Sequence, residues 1–221
     1  MIPLSDADRR PLHAPLVTGA IIAANSLMFL VELVGGETFV NRWSVVPANI
    51  MAGRDWLTIL TAMFMHAGWA HIIGNMVFFW AFGPEIEEAM GSVRYLAFYM
   101  LGGLVASAAQ ILMAPTSTVP NLGASGAIAA VMGAFLITYP RDRIRTLLLL
   151  GWFAQIAFVP AALLVGIWFL TQLFSELGAL ATVQSGGVAY MAHIGGFIFG
   201  AVFARLFEHA RQRDSDLSDN W

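Results

Sequence analysis

The sequence predicts an all-α polytopic membrane protein, a single bundle of six transmembrane helices. Three observations carry that prediction. The chain of 221 residues is 58% hydrophobic and only 11% charged, its mean hydropathy is +0.72, and its apolar residues fall into runs of membrane length whose flanking arginines lie mostly to one side.

A hydrocarbon core of about 30 Å takes about 20 mostly apolar residues in a helix. Six runs meet or approach that length: residues 16–34, 71–82 with an outer start near Gly68, 95–113, 122–139, 160–177 and 188–207. Residues 147–159 are also apolar, but the run is short and ends at Pro160, a residue suited to the first turn of a helix. We read it as a cytoplasmic interfacial or re-entrant piece.

The arginines test this choice. The chain has no lysine, and with six spans and the N-terminus inside, Arg9, Arg10, Arg94, Arg141, Arg143, Arg145, Arg205, Arg211 and Arg213 are cytoplasmic while only Arg42 and Arg54 lie outside. A seventh span at 147–159 would move three of them out. Residues 1–14 then form a cytoplasmic N-terminal segment, 15–208 the membrane domain and 209–221 a polar tail expected to be mobile. No small-residue cleavage site follows the first apolar run, so the first helix is read as a retained anchor. The outer segment 35–69 carries Trp43, Trp56, Phe64 and Trp69, which suit the membrane–water boundary. With no cysteine, disulfides, thiol catalysis and thiolate metal sites are excluded.

Polar groups inside apolar spans are costly and mark functional sites by default. His71 and Asn75, at i and i+4, share a face of the second helix about 6 Å apart in depth. Ser125 is expected roughly 6 Å below the outer start of the fourth helix, and His193 about 7 to 8 Å below that of the sixth. Three helices far apart in sequence thus bring polar residues to one layer. Gly123, Gly126 and Gly133 around the serine, and Gly195, Gly196 and Gly200 below the histidine, permit close backbone packing. Taken singly each feature has a plainer reading, since glycine pairs are common in spans and a lone helical serine usually bonds back to its own backbone.

A serine nucleophile needs a base within hydrogen-bond reach, and the oxyanion it generates needs fixed donors. Ser125 and His193 supply the first; His71, Asn75 and the Ser125 backbone N–H supply the second. Glu32, near the outer end of the first helix, is the nearest carboxylate and belongs to no motif, so the expectation is a dyad.

At these residues the chain resembles a known family. Gly123-Ala124-Ser125-Gly126 is similar to the GxSG motif of the rhomboid intramembrane serine proteases. The stretch Ala192-His193-Ile194-Gly195-Gly196-Phe197-Ile198-Phe199-Gly200 resembles their last-helix motif, and the segment from His66 through His71 to Asn75 matches HxxxxHxxxN. The likeness covers residues 56–207 in the family's order and spacing. It implies a six-helix rhomboid fold with Ser125 as nucleophile, His193 as general base, and His71 and Asn75 at the oxyanion. It further implies that Gly196 and Gly200 pack the sixth helix on the fourth, that Glu87 ties the second and third helices on the inner side, and that His66 is a structural hydrogen-bonding group of the first outer loop. The alternatives are a solvated cytoplasmic charge for Glu87 and a simple interfacial histidine for His66.

Two departures accompany the match. Where members often carry a Trp-Arg pair, this chain has Leu57 and Thr58, with Trp56 displaced by one, which leaves the loop's anchoring open. Where some members stack a tyrosine on the histidine, this chain has Ala129, with Tyr190 one of the aromatics available to replace it. The implied activity is hydrolysis of peptide bonds in or beside transmembrane segments of other membrane proteins, with the fifth helix, Trp168 and Phe169 included, and the loop after it as a gate or as ordinary lipid-facing packing. No cofactor or metal is expected, and the partners are membrane-protein substrates and lipid, with no nucleic acid. The rival within the same fold is a catalytically inactive rhomboid-like protein that binds membrane clients. An aspartyl protease is disfavoured because no aspartate lies within a span, and a zinc protease because HExxH is absent. The arginine pattern places both termini in the cytoplasm and the protein in a plasma (inner) membrane, or in an organelle membrane of the same sidedness.

Overall fold

The computed structural model describes residues 1–150, 153–182 and 190–209. Its elements in chain order are β1 (Ile2–Asp6), α1 (Leu16–Trp43), α2 (Pro47–Met51), α3 (Thr58–Thr61), α4 (Trp69–Met90), α5 (Ser92–Met113), α6 (Ser125–Thr138), β2 (Arg143–Leu150), β3 (Phe153–Pro160), α7 (Ala161–Thr182) and α8 (Tyr190–Phe207). The tail after His209, and the loop between α7 and α8 read from sequence as part of a gate, lie outside the described residues.

The six apolar runs all become helices, with instructive differences at their ends. The first was expected to stop at residue 34, yet α1 reaches Trp43 because Gly36 takes a left-handed φ of 63°, which turns the chain before it coils again. The second continues through Pro84 to Met90 and stops at Gly91, whose φ is 74°. Among the described residues, three helices, Leu16–Trp43, Ser92–Met113 and Tyr190–Phe207, are long and apolar enough to cross a membrane.

At the centre is α6. Every residue from Gly126 to Phe135 is buried, as expected of a helix that is apolar all round, and α4, α5 and α8 enclose it. Phe79, Phe82, Phe98, Phe135, Tyr95 and Tyr99 fill the spaces between them. The outer faces are apolar too: on α8, Ile198, Val202 and Leu206 recur every four residues and are exposed, which suits contact with lipid.

The all-α expectation needs correction. Strands β2 (Arg143–Leu150) and β3 (Phe153–Pro160) pair antiparallel, and β1 adds to them as a third strand in the order β1-β2-β3. Alternation explains the strand: Ile144 and Thr146 are buried while Arg143 and Arg145, which alternate with them, are exposed. Further along the strands large apolar side chains are exposed, among them Leu149, Phe153, Ile156 and Phe158, with Gln155 polar between them. At the base the sheet is ionic, with Arg143 paired to Asp8 at 2.6 Å and Arg9 paired to Asp142.

Asp6 sits at this base, and burial lifts its carboxyl from 3.8 to about 6 although the Asp8 and Arg9 backbone N–H groups favour the ionised form. A raised value in the folded state means that its contribution to stability is complete below the ordinary value and is lost as pH rises through about 6. Hydrogen exchange of the β1 amides should therefore speed up as pH rises from about 4 to about 6, beyond its intrinsic base catalysis. Asp6→Asn should remove that excess, and an unchanged excess in the variant would exclude Asp6 as its source.

Glu87 fastens the inner end of the bundle. Its Oε1 accepts from the Val17 N–H at 2.9 Å and from Ser92 Oγ at 2.9 Å; its Oε2 accepts from the Thr18 N–H and hydroxyl, both at 2.8 Å. The carboxylate thus joins α4 to the first turn of α1 as well as to the start of α5, where the sequence motif suggested only the second and third helices. The first N–H groups of a helix have no intrahelical partner, and a carboxylate is a strong acceptor for them. Glu87→Ala should cost about 3 kcal/mol, with part recovered by Glu87→Gln, read from thermal unfolding in detergent. A loss within about 0.5 kcal/mol, the usual range of surface substitutions, would contradict this account.

Candidate active site

The segment before α6 is held in place backbone to backbone. Val45 and Asn121 exchange two hydrogen bonds of 3.0 and 2.7 Å, and the Gly123 N–H donates to the Ala62 carbonyl at 2.9 Å. Gly123 has φ 141°, a conformation strained for any other residue. A Cβ there would also lie 3.0 Å from Cε1 and Nε2 of His71 and 3.4 Å from Ser125 Oγ. The glycine is therefore what lets the imidazole and the serine converge.

Ser125 is the first residue of α6, not a turn inside it as expected from sequence. Residues 121–124 are irregular because the Val45 bridge and Gly123 occupy backbone that a longer helix would need. Ser125 consequently lies where free N–H groups and the positive end of the helix dipole favour a developing negative charge.

His193, in the first turn of α8, meets this serine: Nε2 to Oγ is 2.6 Å. The helices reach that closeness through glycines. A Cβ on Gly196 would run into the Gly126 carbonyl, one on Gly200 into the Ala130 carbonyl, and one on Gly126 would come within 2.5 Å of the Ala106 Cβ. An aromatic also contacts the histidine. Trp168 of α7 lies 5.8 Å from the His193 ring and Tyr190 lies 6.5 Å away, edge-on. The position left open by Ala129 is thus served by two aromatics, Tyr190 and Trp168. Phe169 stacks on Phe197 at 4.4 Å.

His71, in the first turn of α4, accepts a 3.3 Å hydrogen bond from the Ala67 N–H at Nδ1. An acceptor at Nδ1 assigns the proton of the neutral ring to Nε2, the nitrogen beside Gly123. Asn75 is one turn further on, and its Nδ2 is buried with no hydrogen-bond partner among the described residues. An unused buried donor one turn from His71 is a group prepared for a ligand or for a charge that forms during reaction.

At His66 the backbone N–H donates to the Glu32 carboxylate of α1 at 3.0 and 3.2 Å. The loop itself is anchored without a Trp-Arg pair. Trp56 and Leu57 are exposed, while Asp55 accepts from Arg42 at 3.2 Å and from Asn49 at 3.1 Å. Among the described residues no group of three or more histidine, aspartate or glutamate side chains is arranged to hold a metal ion.

A mostly helical membrane bundle that sets a serine hydroxyl against an imidazole, with further donors on a third helix, is the class that these observations define. The model of the rhomboid domain matches residues 53–209, and the chain belongs to the rhomboid family. Among curated relatives it is 35% identical over 126 residues to Rhomboid protease GluP of Bacillus subtilis (55% of this chain, 24% of that protein). It is 26% identical over 193 residues to Rhomboid protein 1, mitochondrial, of Saccharomyces cerevisiae (81% and 52%). With the human presenilin-associated rhomboid-like protein, mitochondrial, it shares 27% over 208 residues (89% and 48%). The chain thus spans about half or less of the length of these three relatives.

Proposed function

We propose that the protein is an intramembrane serine endopeptidase that cleaves peptide bonds in or near transmembrane segments of other membrane proteins. The observation that carries this reading is the 2.6 Å contact between Ser125 Oγ and His193 Nε2, set beside the donors of His71 and Asn75. Oγ attacks the scissile carbonyl while Nε2 of His193 takes its proton. The oxyanion is met by the His71 Nε2–H, the Asn75 amide and the N–H groups at the start of α6. Nε2 returns the proton to the leaving amine, and water repeats the sequence on the acyl-enzyme. No cofactor enters any step.

A cavity of about 40 Å³ adjoins Ser125, lined by Met63, Ala106, Ser107 and Gln110 among others. It has room for a few water-sized groups, which favours a small side chain at the cleaved bond. A helical substrate must also unwind to present its carbonyl, so segments with glycine, proline or small polar residues are the expected targets.

We take α1, α4, α5, α6, α7 and α8 as six spans within a membrane domain of residues 15–208, flanked by cytoplasmic segments 1–14 and 209–221. The sheet supports that count in part: β1 pairs with β2, so both lie on one side, and an even number of crossings must separate them. The four helices between them meet this condition. The arginine distribution supports cytoplasmic termini in a plasma (inner) membrane; mitochondrial relatives make an organelle inner membrane the competing location.

The test is cleavage of a single-span model substrate by purified protein in liposomes, with covalent labelling by a fluorophosphonate read in parallel. Wild type should cleave and label, and Ser125→Ala should do neither. Folded wild type that neither cleaves nor labels would overturn the proposal in favour of an inactive client-binding protein.

A further inference from the structure

Glu32 belongs to none of the motifs, yet its side chain is committed to the site. It lies on α1, is 4% exposed, and turns both carboxylate oxygens to the single N–H of His66, at 3.0 and 3.2 Å. A carboxyl buried in an apolar helix is costly and persists where its partner matters. The consequence appears one residue later in the chain. The Ala67 N–H is the group that donates to Nδ1 of His71, and the His66 and His71 rings meet edge-on with centroids 5.1 Å apart. One carboxylate therefore fixes the short stretch of backbone whose next N–H decides which nitrogen of His71 carries the proton.

We propose that Glu32 is a positioning residue that holds the His71 proton on Nε2, facing Gly123 and Ser125, by clamping the His66–Ala67 backbone. This extends the endopeptidase reading and rests on it for its catalytic consequence. Without the clamp the Ala67 N–H drifts from Nδ1, and the ring is free to take the Nδ1–H tautomer, which presents a lone pair to the forming oxyanion. An acceptor there opposes the charge that the site must stabilise. The clamp asks only for an acceptor atom, so glutamine should serve in place of glutamate. Glu32 also borders a cavity of about 410 Å³, which gives an amide room to turn its oxygen to the same N–H.

Two measurements on the full chain in liposomes test this. In the first, ¹⁵N spectra of histidine-labelled protein, with the His71 signals identified by their loss in His71→Ala, report the tautomer whether or not the protein cleaves anything. His71 should be Nε2–H in wild type and Glu32→Gln and a mixture in Glu32→Ala. An unchanged tautomer in Glu32→Ala overturns the proposal.

In the second, cleavage kinetics form a cycle. Glu32→Ala should lower kcat by up to about 10²-fold, as small misplacements of catalytic groups do, with KM little changed and Glu32→Gln close to wild type. In a His71→Ala background the same substitution should change kcat by less than about twofold, because its effect passes through the missing ring. Equal losses in both backgrounds would make Glu32 a structural residue only. A wild type that cleaves nothing, with the tautomer still shifting in Glu32→Ala, would instead sink the endopeptidase reading and leave the clamp standing.

Discussion

His193→Ala is expected to lower peptide cleavage by at least about 10³-fold while leaving the protein folded. The histidine is reached by one short bond, 2.6 Å from Nε2 to Ser125 Oγ, and a serine hydroxyl without a base is a poor nucleophile at neutral pH. Removing the ring deletes both proton transfers, the first to Nε2 and the second to the leaving amine. The proposed oxyanion donors lie on α4 and at the start of α6, so they survive the substitution and should leave slow residual turnover. Single-turnover cleavage in liposomes measures the loss, and thermal unfolding in detergent checks the fold. A folded His193→Ala variant within tenfold of wild type would exclude it as the base.

Gly200→Val should have the largest effect on stability. A Cβ at this position would sit 2.7 Å from the carbonyl carbon and 2.8 Å from the Cα of Ala130, and the obstructing atoms are backbone, which no rotamer change can clear. Overpacking usually costs about 1–3 kcal/mol, and a clash with backbone belongs at or above the top of that range. Ala130 lies on the helix that carries Ser125, so helices forced apart here also lengthen the bond between Ser125 and His193. Gly19→Ala provides the contrast, since nothing lies within 4 Å of a Cβ there. It should be neutral or stabilising by up to about 1 kcal/mol, the helix preference of alanine over glycine. Thermal unfolding of both variants decides the matter; equal stability would mean that α6 and α8 can separate without cost.

Much of this was legible in the sequence because the information was local. Apolar runs of membrane length marked the six long helices, and the glycines near Ser125 and His193 announced close approach before any contact was visible. What escaped depended on partners distant in the chain. The position of Ser125 at a helix start was hidden because Leu122, Gly123 and Ala124 read as a continuation of the apolar run; the Val45 bridge and the left-handed Gly123 cut it short. Strand β2 was hidden for a similar reason. Its alternation is clear at Ile144 and Thr146 but vanishes in the leucines that follow, and its partner Ile2–Asp6 is too short to signal a strand alone. Nothing local marked Glu32 as the residue that binds His66, or Glu87 as the residue that caps α1, since each bond is set by how helices pack rather than by spacing along one of them. Trp168 against His193 belongs with these.

The three-stranded sheet also sets a clock on assembly. Ile2 cannot find its partner Leu147 until the intervening helices have been synthesised, roughly ten seconds or more at ordinary translation rates. Throughout that interval Ile2–Asp6 has no strand to pair with. Under the six-span topology proposed above, it meets β2 only if the helices between them have been threaded correctly, because one missed insertion would leave the two strands on opposite faces of the membrane. Closure of the sheet is thus a late event that reports on every earlier one, and a nascent chain that fails it displays two open strand edges, the kind of surface by which defective products are recognised and aggregate.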